Sequence, residues 1–587
     1  MAPAKHWKYP KNEDIVLTAL KGLVASNPNI SFIPSEKVVF VPNKNKKVAV
    51  ISGGGAGHEP LHSGFVGNNL LDAAVSGAIF ASPSTKQIMA AVKATADKER
   101  GAVIIVKNYT GDVLHFGLVA ERAKRDGFNV ELVSVSDDVA VGRTQNKMVG
   151  RRGLAGTAIV HKVVGAAAAT GATLPQVAEL GRRVNDSLVT MSASLDRTSV
   201  PGREEESEHH EDPTVAELGL GIHNEPGQKI KIPEITDLVD LLFERLLDIN
   251  DKERHYVNFE SDGDYVLLVN NIGGTSTLEL LAITQYAIER CPLKKKPLRV
   301  LVSDFVTSLN SPGFSITLLN VDAASTSEFS KKDILGFLDE ETDAPGWKPK
   351  AFNADAWSQP TNEIESPEKH ATIPKSDFEI DGKKFKGALE AGLKAVIEKE
   401  PLITKYDTQV GDGDCGETLK NGAEAILKKA ACDKEFQENL NDPVATLSVI
   451  TEIVEDSMGG TSGGIYAIYL TSLVKNLLDL KNMDIKLVAQ ALKTALYDGL
   501  FKYTKARQGG RTLVDTLQPF VDEFAQSLDL KLLIEAAKRG CEETANLEAK
   551  FGRASYVSEA DLKEDGGIPD PGAVGLLAII EGFCSGY

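Results

Sequence analysis

The sequence has little of what marks secreted, membrane-spanning or nucleic-acid-binding proteins. Its 587 residues include only five cysteines, scattered without C-x-x-C spacing, which fits free thiols in a reducing compartment. No apolar run approaches the ~18 residues that a membrane-spanning helix needs, and the N-terminus lacks the apolar segment of a secretory signal. The formal net charge of −18 argues against a nucleic-acid surface, which needs a basic face. We therefore expect a cytoplasmic protein with neither nucleic acid nor membrane among its partners.

What the sequence does contain, in its N-terminal part, is an alternation of short apolar runs and helical patterns. The runs are rich in Val, Ile and Leu, which is typical of buried strands in layered α/β proteins with largely parallel pairing. The predicted strands are Val48–Ile51, Ala102–Val106, Val130–Val135, Tyr265–Val269, Val300–Val302 and Ser315–Leu319. An acidic run at residues 203–213 interrupts this pattern, so we expect a break between two α/β lobes near residues 200–213.

The C-terminal part has a helical pattern and follows a proline-rich, weakly apolar segment that is typical of a stiff linker. Apolar residues recur at helical spacing from Phe385 to Ile397, and again from Val444 to Met458 behind Asp442 as N-cap. No strand pattern is visible from residue 377 onward. The sequence therefore predicts an α/β domain over residues 1–345, a linker over 346–376 and an all-helical domain over 377–587.

A glycine-rich segment, Ser52–Pro60, follows the first predicted strand and reads Ser-Gly-Gly-Gly-Ala-Gly-His-Glu-Pro. It lacks the lysine of a phosphate-binding P-loop and the last glycine of a dinucleotide-binding loop. Its glycines let a ligand approach the backbone closely, and His58 supplies an acid or base. A plain strand-to-helix turn is the alternative, and the residues alone leave the ligand open.

Two further polar segments carry candidate chemistry. In Lys107–Asp112, the lysine can donate to an oxygen and Asp112 can take a proton from a hydroxyl, although an ordinary turn would look similar. Gly219–Gly227 places His223 before Asn-Glu-Pro, much as the first segment places a histidine before Glu-Pro. A histidine in a glycine-rich polar loop is a candidate nucleophile or base, with a structural role as the alternative.

The C-terminal part contains three aspartates within eight residues, Asp407, Asp412 and Asp414. Clustered carboxylates repel one another without a cation, so a hard divalent metal is their natural partner. Mg²⁺ with phosphate oxygens completing its shell fits better than an all-protein calcium cage, because too few neutral ligands are nearby. Gly459–Gly464 then opens an apolar helix, where N–H groups and two hydroxyls favour phosphate over a small-residue helix contact.

Together these segments resemble the single-chain, ATP-dependent dihydroxyacetone kinases, in the family's order and over nearly the whole chain. The resemblance is carried by Ile51–Pro60, Phe80–Gln87, Ile105–Gly117, Asp137–Arg152, Gly219–Gly227, Gly313–Asn320, Gln409–Gly416, Gly459–Gly464, Phe551–Tyr556 and Asp570–Ala573. It implies an N-terminal α/β triose-binding domain of two lobes. It also implies a C-terminal nucleotide-binding domain that is an all-helical, up-and-down barrel.

The resemblance implies roles for single residues. His223 stands where the family holds the ketone carbon of dihydroxyacetone as a covalent hemiaminal, and His58 and Asp112 match its acid–base pair. The implied triose contacts are Gly55, Ala56, Gly57, His58, Ser82, Lys107 and Asp112. The carboxylates that match the holders of two Mg²⁺ ions are Asp407, Asp412 and Asp414. The implied nucleotide contacts are Gly413, Asp414, Cys415, Gly416, Thr461, Ser462, Asp570, Pro571 and Gly572, with Arg511 as a candidate phosphate contact.

These roles imply a reaction. A neutral histidine nitrogen adds to a ketone or aldehyde but not to an alcohol, so a hemiaminal would select dihydroxyacetone and glyceraldehyde over glycerol. Asp112 would then deprotonate the terminal hydroxyl as it attacks the γ-phosphorus of MgATP. We also expect a homodimer, and the linker would allow the two half-sites to meet either within one chain or across the dimer.

Cys415 departs from the family pattern, in which many members have histidine between the last aspartate and glycine. The three carboxylates remain, so only the nucleotide contact at that position is put in doubt. Some family members also split FAD into AMP and a cyclic riboflavin phosphate, and the sequence does not exclude this activity. A non-enzymatic triose sensor would be expected to lose the aspartates or His223, and both are present.

Overall fold

The computed structural model describes residues 6–10, 13–42, 46–144, 148–202, 212–350, 356–357, 373–549 and 567–587. The chain divides into two compact units, Met1–Asn362 and Glu363–Tyr587. Residues 203–211 of the expected lobe break and most of the expected linker lie outside the described residues. So does the stretch Phe551–Tyr556 that contributes to the family resemblance.

The first lobe of the N-terminal unit is built on a six-stranded sheet with the order β1-β2-β4-β3-β5-β6. Its elements are α1 (Ile15–Ser26), β1 (Ser31–Ile33), β2 (Val38–Phe40), β3 (Ala49–Ala56), β4 (Ala73–Ile79), α2 (Thr85–Thr95), β5 (Ala102–Lys107), α3 (Thr110–Arg125) and β6 (Val130–Val135). Strands β3 to β6 run parallel, so their carboxyl ends lie along one edge of the sheet. Strands β1 and β2 add an antiparallel edge.

The second lobe is a six-stranded sheet with the order β11-β10-β12-β7-β8-β9. Its elements, with the two helices that precede them, are α4 (Gly156–Ala169), α5 (Leu174–Asp186), β7 (Leu188–Ser194), β8 (Val215–Leu218), β9 (Gln228–Lys231), α6 (Ile235–Leu247), β10 (Tyr265–Asn271), α7 (Thr277–Arg290), β11 (Arg299–Ser303), β12 (Gly313–Asn320), α8 (Val321–Ala324) and α9 (Lys331–Asp339). Among these described strands only β10 and β11 pair in parallel, and the other pairs are antiparallel. The prediction of largely parallel pairing is therefore wrong for this lobe.

The burial of strand β10 on both faces explains why the sequence did not reveal its direction. Val266 and Leu268 pack into a core shared with helices α4 and α5 and with the first sheet, whereas Leu267 and Val269 pack into a second core on the opposite face. Both faces of the strand are buried, so its residues are apolar throughout, as in a parallel sheet. Such a run predicts a buried strand but carries no signal of strand direction.

The six predicted strands are all present, and most are longer than predicted. Strand β3 continues through Gly53, Gly54 and Gly55, so glycines that were expected in a loop belong to the strand. A Cβ on Gly53 would lie 2.5 Å from the carbonyl oxygen of Val75 on β4, which explains the glycine at that position. The remaining six strands are short or rich in small and polar residues, and they give no clear apolar run.

Within residues 373–549 and 567–587, the regular secondary structure of the C-terminal unit is entirely helical, as predicted. Its helices are α10 (Gly382–Val410), α11 (Cys415–Cys432), α12 (Lys434–Glu438), α13 (Pro443–Ser457), α14 (Gly460–Leu478), α15 (Ile485–Thr494), α16 (Val514–Ser527), α17 (Leu530–Glu543) and α18 (Pro571–Gly586). Apart from the short α12, successive helices pack on one another from α10 to α17, and α18 packs on α16, α17 and α10. The ring of helices is thereby closed around an apolar cavity of about 640 Å³, which confirms the expected helical barrel.

The predicted start of α13 is also confirmed. The cap is Asp442, whose carboxylate accepts the N–H groups of Val444 and Ala445, with Pro443 at the first helical position. Among the described residues, no helix is both long and apolar enough to cross a membrane.

Candidate functional site

The carboxyl ends of three parallel strands bring four predicted triose contacts to one edge of the first sheet. His58 follows β3, Ser82 follows β4, Lys107 ends β5, and Asp112 lies in the first turn of α3. The Ser82 hydroxyl oxygen lies only 2.8 Å from where a Cβ on Gly111 would stand, so the segment after β4 and the start of α3 meet there. This edge is the usual place for a ligand in a parallel α/β sheet.

The second lobe contributes His223, in the segment between β8 and β9. Its Nε2 lies 3.0 Å from Nε2 of His58, although 165 residues separate the two in the chain. The ring of His58 is held from the other side by Thr307, whose carbonyl oxygen is 2.8 Å from His58 Nδ1. The predicted triose site is therefore built from both lobes of the N-terminal unit.

The hydrogen-bond partners of the two histidines define where their protons are. A carbonyl oxygen only accepts, so His58 Nδ1 donates to Thr307. Burial, together with the charges of Lys107 and His223, holds the pKa of His58 well below its usual range, so the ring is neutral and its Nε2 is bare. The contact between the two Nε2 atoms is then a hydrogen bond donated by His223 to His58.

Lys107, Tyr109 and Asp112 bring further polar groups to this site. The Lys107 and Asp112 side chains are buried, and Lys107 Nζ, Tyr109 Oη and Asp112 Oδ1 have no hydrogen-bond partner within the described parts of the chain. Burial lowers the pKa of Lys107. The charges of nearby carboxylates, Asp112 first among them, oppose this effect. Tyr109 packs edge-on against His223, with the ring centroids 4.5 Å apart. Buried polar groups without partners are expected where a polar ligand is to bind.

The backbone of residues 55–57 leads into the site. At Gly55 and Gly57 it leaves no room for a side chain. A Cβ on Gly55 would lie 2.8 Å from the backbone nitrogen of Ala81, and one on Gly57 would lie 2.7 Å from the Phe80 ring. Gly57 also has a φ of +99°, a conformation that favours glycine. The glycine-rich segment therefore packs tightly against Phe80 and Ala81, and it turns sharply at Gly57, just before His58.

Four residues at this site received no role from the sequence. His62 Nδ1 lies 2.9 Å from the Ser52 hydroxyl, and its Nε2 has no partner among the described residues. Tyr109 and Glu225 lie within the two polar segments that the sequence marks as candidates, Lys107–Asp112 and Gly219–Gly227. Their position in the sequence was therefore a signal that they belong to the site. Thr307 acts through its backbone carbonyl, which leaves no signature in the sequence.

The three aspartates meet at the junction of α10 and α11. Their carboxylate oxygens lie within 4.8 Å of one another, and a carboxylate oxygen of Asp407 accepts the N–H of Cys415 at 2.9 Å. Gly413, between Asp412 and Asp414, has a φ of +81°, and this turn brings the exposed pair back toward the buried Asp407. Hard carboxylate oxygens at this spacing fit Mg²⁺.

The N-termini of α11, α14 and α18 converge beside these aspartates. Burial raises the pKa of the Cys415 thiol to about 12, the charges of Asp407 and Asp570 add to the effect, and a hydrogen bond with Ser462 opposes it. Cys415, Ser462 and Asp570 therefore lie close together, although they stand at the starts of three different helices. Three helix N-termini next to a carboxylate cluster that could hold a metal ion are suited to phosphate groups, because helix N-termini attract anions.

The other predicted nucleotide contacts lie on the same three helix starts. Gly416 and Thr461 are the second residues of α11 and α14, and Pro571 and Gly572 begin α18. A Cβ on Gly416 would overlap the Thr404 side chain of α10, so glycine here lets the two helices approach. Asp570 caps α18 by accepting the N–H of Ala573 at 2.8 Å, and burial raises its pKa to about 7.

Arg511 is buried close to this region. One of its terminal nitrogens donates to the carbonyl oxygen of Ile568 at 2.8 Å, whereas Nε and Nη1 have no partner within the described ranges. Asp570 is the charged group that most opposes the effect of burial on the pKa of Arg511. The structure thus places Arg511 beside Asp570, with two donors left for an anion.

Comparison with known proteins decides the family. Residues 21–346 match the family model of the Dak1 domain, and residues 409–585 match that of the DAK2 domain. The chain is 50% identical over 614 residues to the dihydroxyacetone kinase of Komagataella pastoris, covering 100% of this chain and 98% of that protein. The chain belongs to the dihydroxyacetone kinase family.

Other members of the dihydroxyacetone kinase family extend the comparison. The triokinase/FMN cyclase of Mus musculus is 36% identical over 583 residues, covering 96% of this chain and 95% of that protein. The crystal structure of the C. freundii dihydroxyacetone kinase with AMP-PNP and Mg²⁺ matches with a TM-score of 0.67 and 29% identity, covering 100% of both chains. The predicted family, fold class and class of enzyme, a kinase, are confirmed.

Proposed function

We propose that this chain transfers the γ-phosphoryl group of ATP to dihydroxyacetone, which it holds as a hemiaminal on His223. The observation that carries the proposal is the contact between the Nε2 atoms of His223 and His58, inside a cluster of buried polar groups that have no hydrogen-bond partner among the described residues. The names of the relatives support the same substrate, since both fungal and mammalian members are called dihydroxyacetone kinase or triokinase. Glyceraldehyde is the second substrate that the proposal includes.

Each group at the triose site has a task in this proposal. His223 Nε2 bonds to the carbonyl carbon, and His58 Nε2 carries the proton from His223 to the carbonyl oxygen. Lys107, the buried cation, donates to a substrate oxygen. Asp112 takes the proton of the terminal hydroxyl that attacks phosphorus, and its Oδ1, which has no partner among the described residues, supports this role. The hydroxyl of Ser82 and the backbone of residues 55–57 complete the walls.

The C-terminal unit holds the nucleotide in this proposal. Asp407, Asp412 and Asp414 would bind two Mg²⁺ ions. The crystal structure of a relative with AMP-PNP and Mg²⁺ supports the binding of a nucleotide together with Mg²⁺. When bound, Mg²⁺ screens the negative charge of the phosphates during transfer. The N–H groups and hydroxyls at the starts of α11, α14 and α18 orient the phosphates.

A comparison of acceptors tests the proposal. ADP release from MgATP is measured in a coupled assay with dihydroxyacetone, glyceraldehyde and glycerol under identical conditions. We expect turnover with the two carbonyl compounds and none with glycerol, because only a carbonyl carbon can bond to the imidazole. Equal turnover of glycerol would show that no covalent capture selects the substrate.

We expect Lys107→Met to lower kcat/KM for dihydroxyacetone by roughly 10²-fold, the usual cost of removing one buried donor at a reacting oxygen. The KM for ATP should not change, because the nucleotide is bound by the other unit. Lys162→Met is a matched control, since Lys162 is also a buried lysine of the N-terminal unit but donates to the carbonyl oxygen of Glu340. Similar losses in both variants would indicate a structural role for Lys107.

A second activity, cleavage of FAD to a cyclic riboflavin phosphate, is supported by the similarity to the triokinase/FMN cyclase of Mus musculus over 95% of its length. It would use the aspartate site and not His223. Incubation of wild type and His223→Ala with FAD and Mn²⁺ tests this: we expect equal product from both. No product from either protein would restrict the chain to the kinase reaction.

A further inference from the structure

Glu225 stands two residues after His223 and contacts it twice. Glu225 Oε2 accepts the backbone N–H of His223 at 3.0 Å, and Oε1 lies 3.1 Å from the ring nitrogen Nδ1. Burial would raise the pKa of the Glu225 carboxyl, but hydrogen bonds and charge from His223, together with Arg152, lower it to about 2. The carboxylate is ionised at neutral pH and can only accept, so His223 Nδ1 carries a proton directed at Glu225.

The carboxylate of Glu225 is itself held in place. Arg152 Nη1 lies 3.9 Å from Glu225 Oε2, and the same guanidinium donates to the buried carboxylate of Asp138 and to the carbonyl oxygen of Gly219. Gly221 is necessary for this approach, because a Cβ there would overlap both Glu225 and Arg152. The chain of contacts from Asp138 through Arg152 to Glu225 fixes the His223 ring in one orientation.

The segment around His58 provides an internal comparison. Glu59 Oε2 accepts the N–H of Gly57 at 2.9 Å, which is the same two-residue turn that Glu225 makes with His223. The ring of His58, however, is oriented by the Thr307 carbonyl and not by its neighbouring glutamate. The position of His223 in its turn is taken by Gly57 in the turn of Glu59, so the ring contact of Glu225 depends on the histidine at that position.

We propose that Glu225 is a positioning residue for the covalent step, holding the proton on His223 Nδ1 and balancing the positive charge of the ring. This inference rests on the proposed function. In the step, His223 Nε2 gives its proton to His58 Nε2 and bonds to the carbonyl carbon. The π electrons of the carbonyl move to its oxygen, which takes the proton from His58. Because Nδ1 keeps its proton, the ring carries a positive charge once Nε2 is bonded to the carbonyl carbon, and Glu225 is its counter-charge.

The test follows the adduct directly. Wild type, Glu225→Gln and Glu59→Gln are each mixed with [2-¹³C]dihydroxyacetone, and the carbonyl and tetrahedral carbon signals of the bound triose are measured by NMR. We expect the tetrahedral signal in wild type and Glu59→Gln and its loss in Glu225→Gln. In steady-state assays, kcat/KM for dihydroxyacetone should fall roughly tenfold to hundredfold in Glu225→Gln, the range for a hydrogen bond to a charged group, with the KM for ATP unchanged.

A second variant separates a positioning role from loss of folding. In Glu225→Ala, added formate should restore part of the adduct signal and of kcat/KM, because a free carboxylate can occupy the place of the missing one. Formate should have no such effect on Glu59→Ala. Wild-type adduct levels and kcat/KM in Glu225→Gln would overturn the inference while leaving the proposed function intact. Absence of the adduct from wild type itself would overturn the covalent step, and the inference with it.

Discussion

Replacing His223 by alanine is expected to abolish phosphorylation of dihydroxyacetone, with kcat/KM falling by roughly 10³-fold or more. The loss is large because the substituted side chain is the nucleophile that bonds to the carbonyl carbon in the proposed mechanism. The measurement is ADP release from MgATP with dihydroxyacetone. His255→Ala is the control, since His255 is a half-buried histidine of the second lobe that plays no part in the triose site.

The same variant separates capture of the substrate from binding of the nucleotide. His223→Ala should keep the wild-type stabilisation by MgADP in thermal unfolding, because the predicted nucleotide contacts all lie in the C-terminal unit. It should also show no tetrahedral carbon signal with labelled dihydroxyacetone. If the variant retained a tenth or more of the wild-type rate, hydrogen bonds alone would be sufficient to hold the triose, and the covalent mechanism would be wrong.

The contrast between the two sites shows what a sequence can reveal. The aspartates lie within eight residues, so the turn that assembles them is local, and residue type with spacing predicts both the cluster and its preference for a hard cation. His58 and His223 come together only because two lobes pack against each other. No local pattern records that contact, and their pairing was accessible only through the resemblance to a family.

Other features of the site were not predictable for physical reasons. Thr307 orients His58 through a backbone carbonyl, so any residue at that position could provide the same acceptor. Glu225 is a single glutamate in a polar loop, so its contact with the His223 ring could not be predicted. Glu59 makes the same kind of turn, but its carboxylate accepts the N–H of Gly57, which has no ring. The direction of strand β10 depends on its connections and not on its residues, because the strand is buried on both faces.

Replacing Asp412 by alanine is expected to lower kcat with MgATP and dihydroxyacetone by roughly 10³-fold, because several kcal/mol of charge stabilisation depend on the bound metal. Asp412 is the informative position. It is exposed, whereas Asp407 is buried and accepts the N–H of Cys415, so removing Asp407 would also disturb the fold. Asp479→Asn, at an exposed aspartate just after α14, is the matched control and should keep the wild-type rate.

The Asp412→Ala variant should still capture its substrate. Labelled dihydroxyacetone should give the tetrahedral carbon signal at wild-type intensity, while thermal stabilisation by MgADP should be reduced or lost. This pattern is the reverse of the one expected for His223→Ala, so the two variants together assign covalent capture to one unit and the metal–nucleotide site to the other. A wild-type rate in Asp412→Ala at the same Mg²⁺ concentration would contradict a metal role for this aspartate. Loss of the adduct in that variant would instead mean that the two units do not act separately in binding.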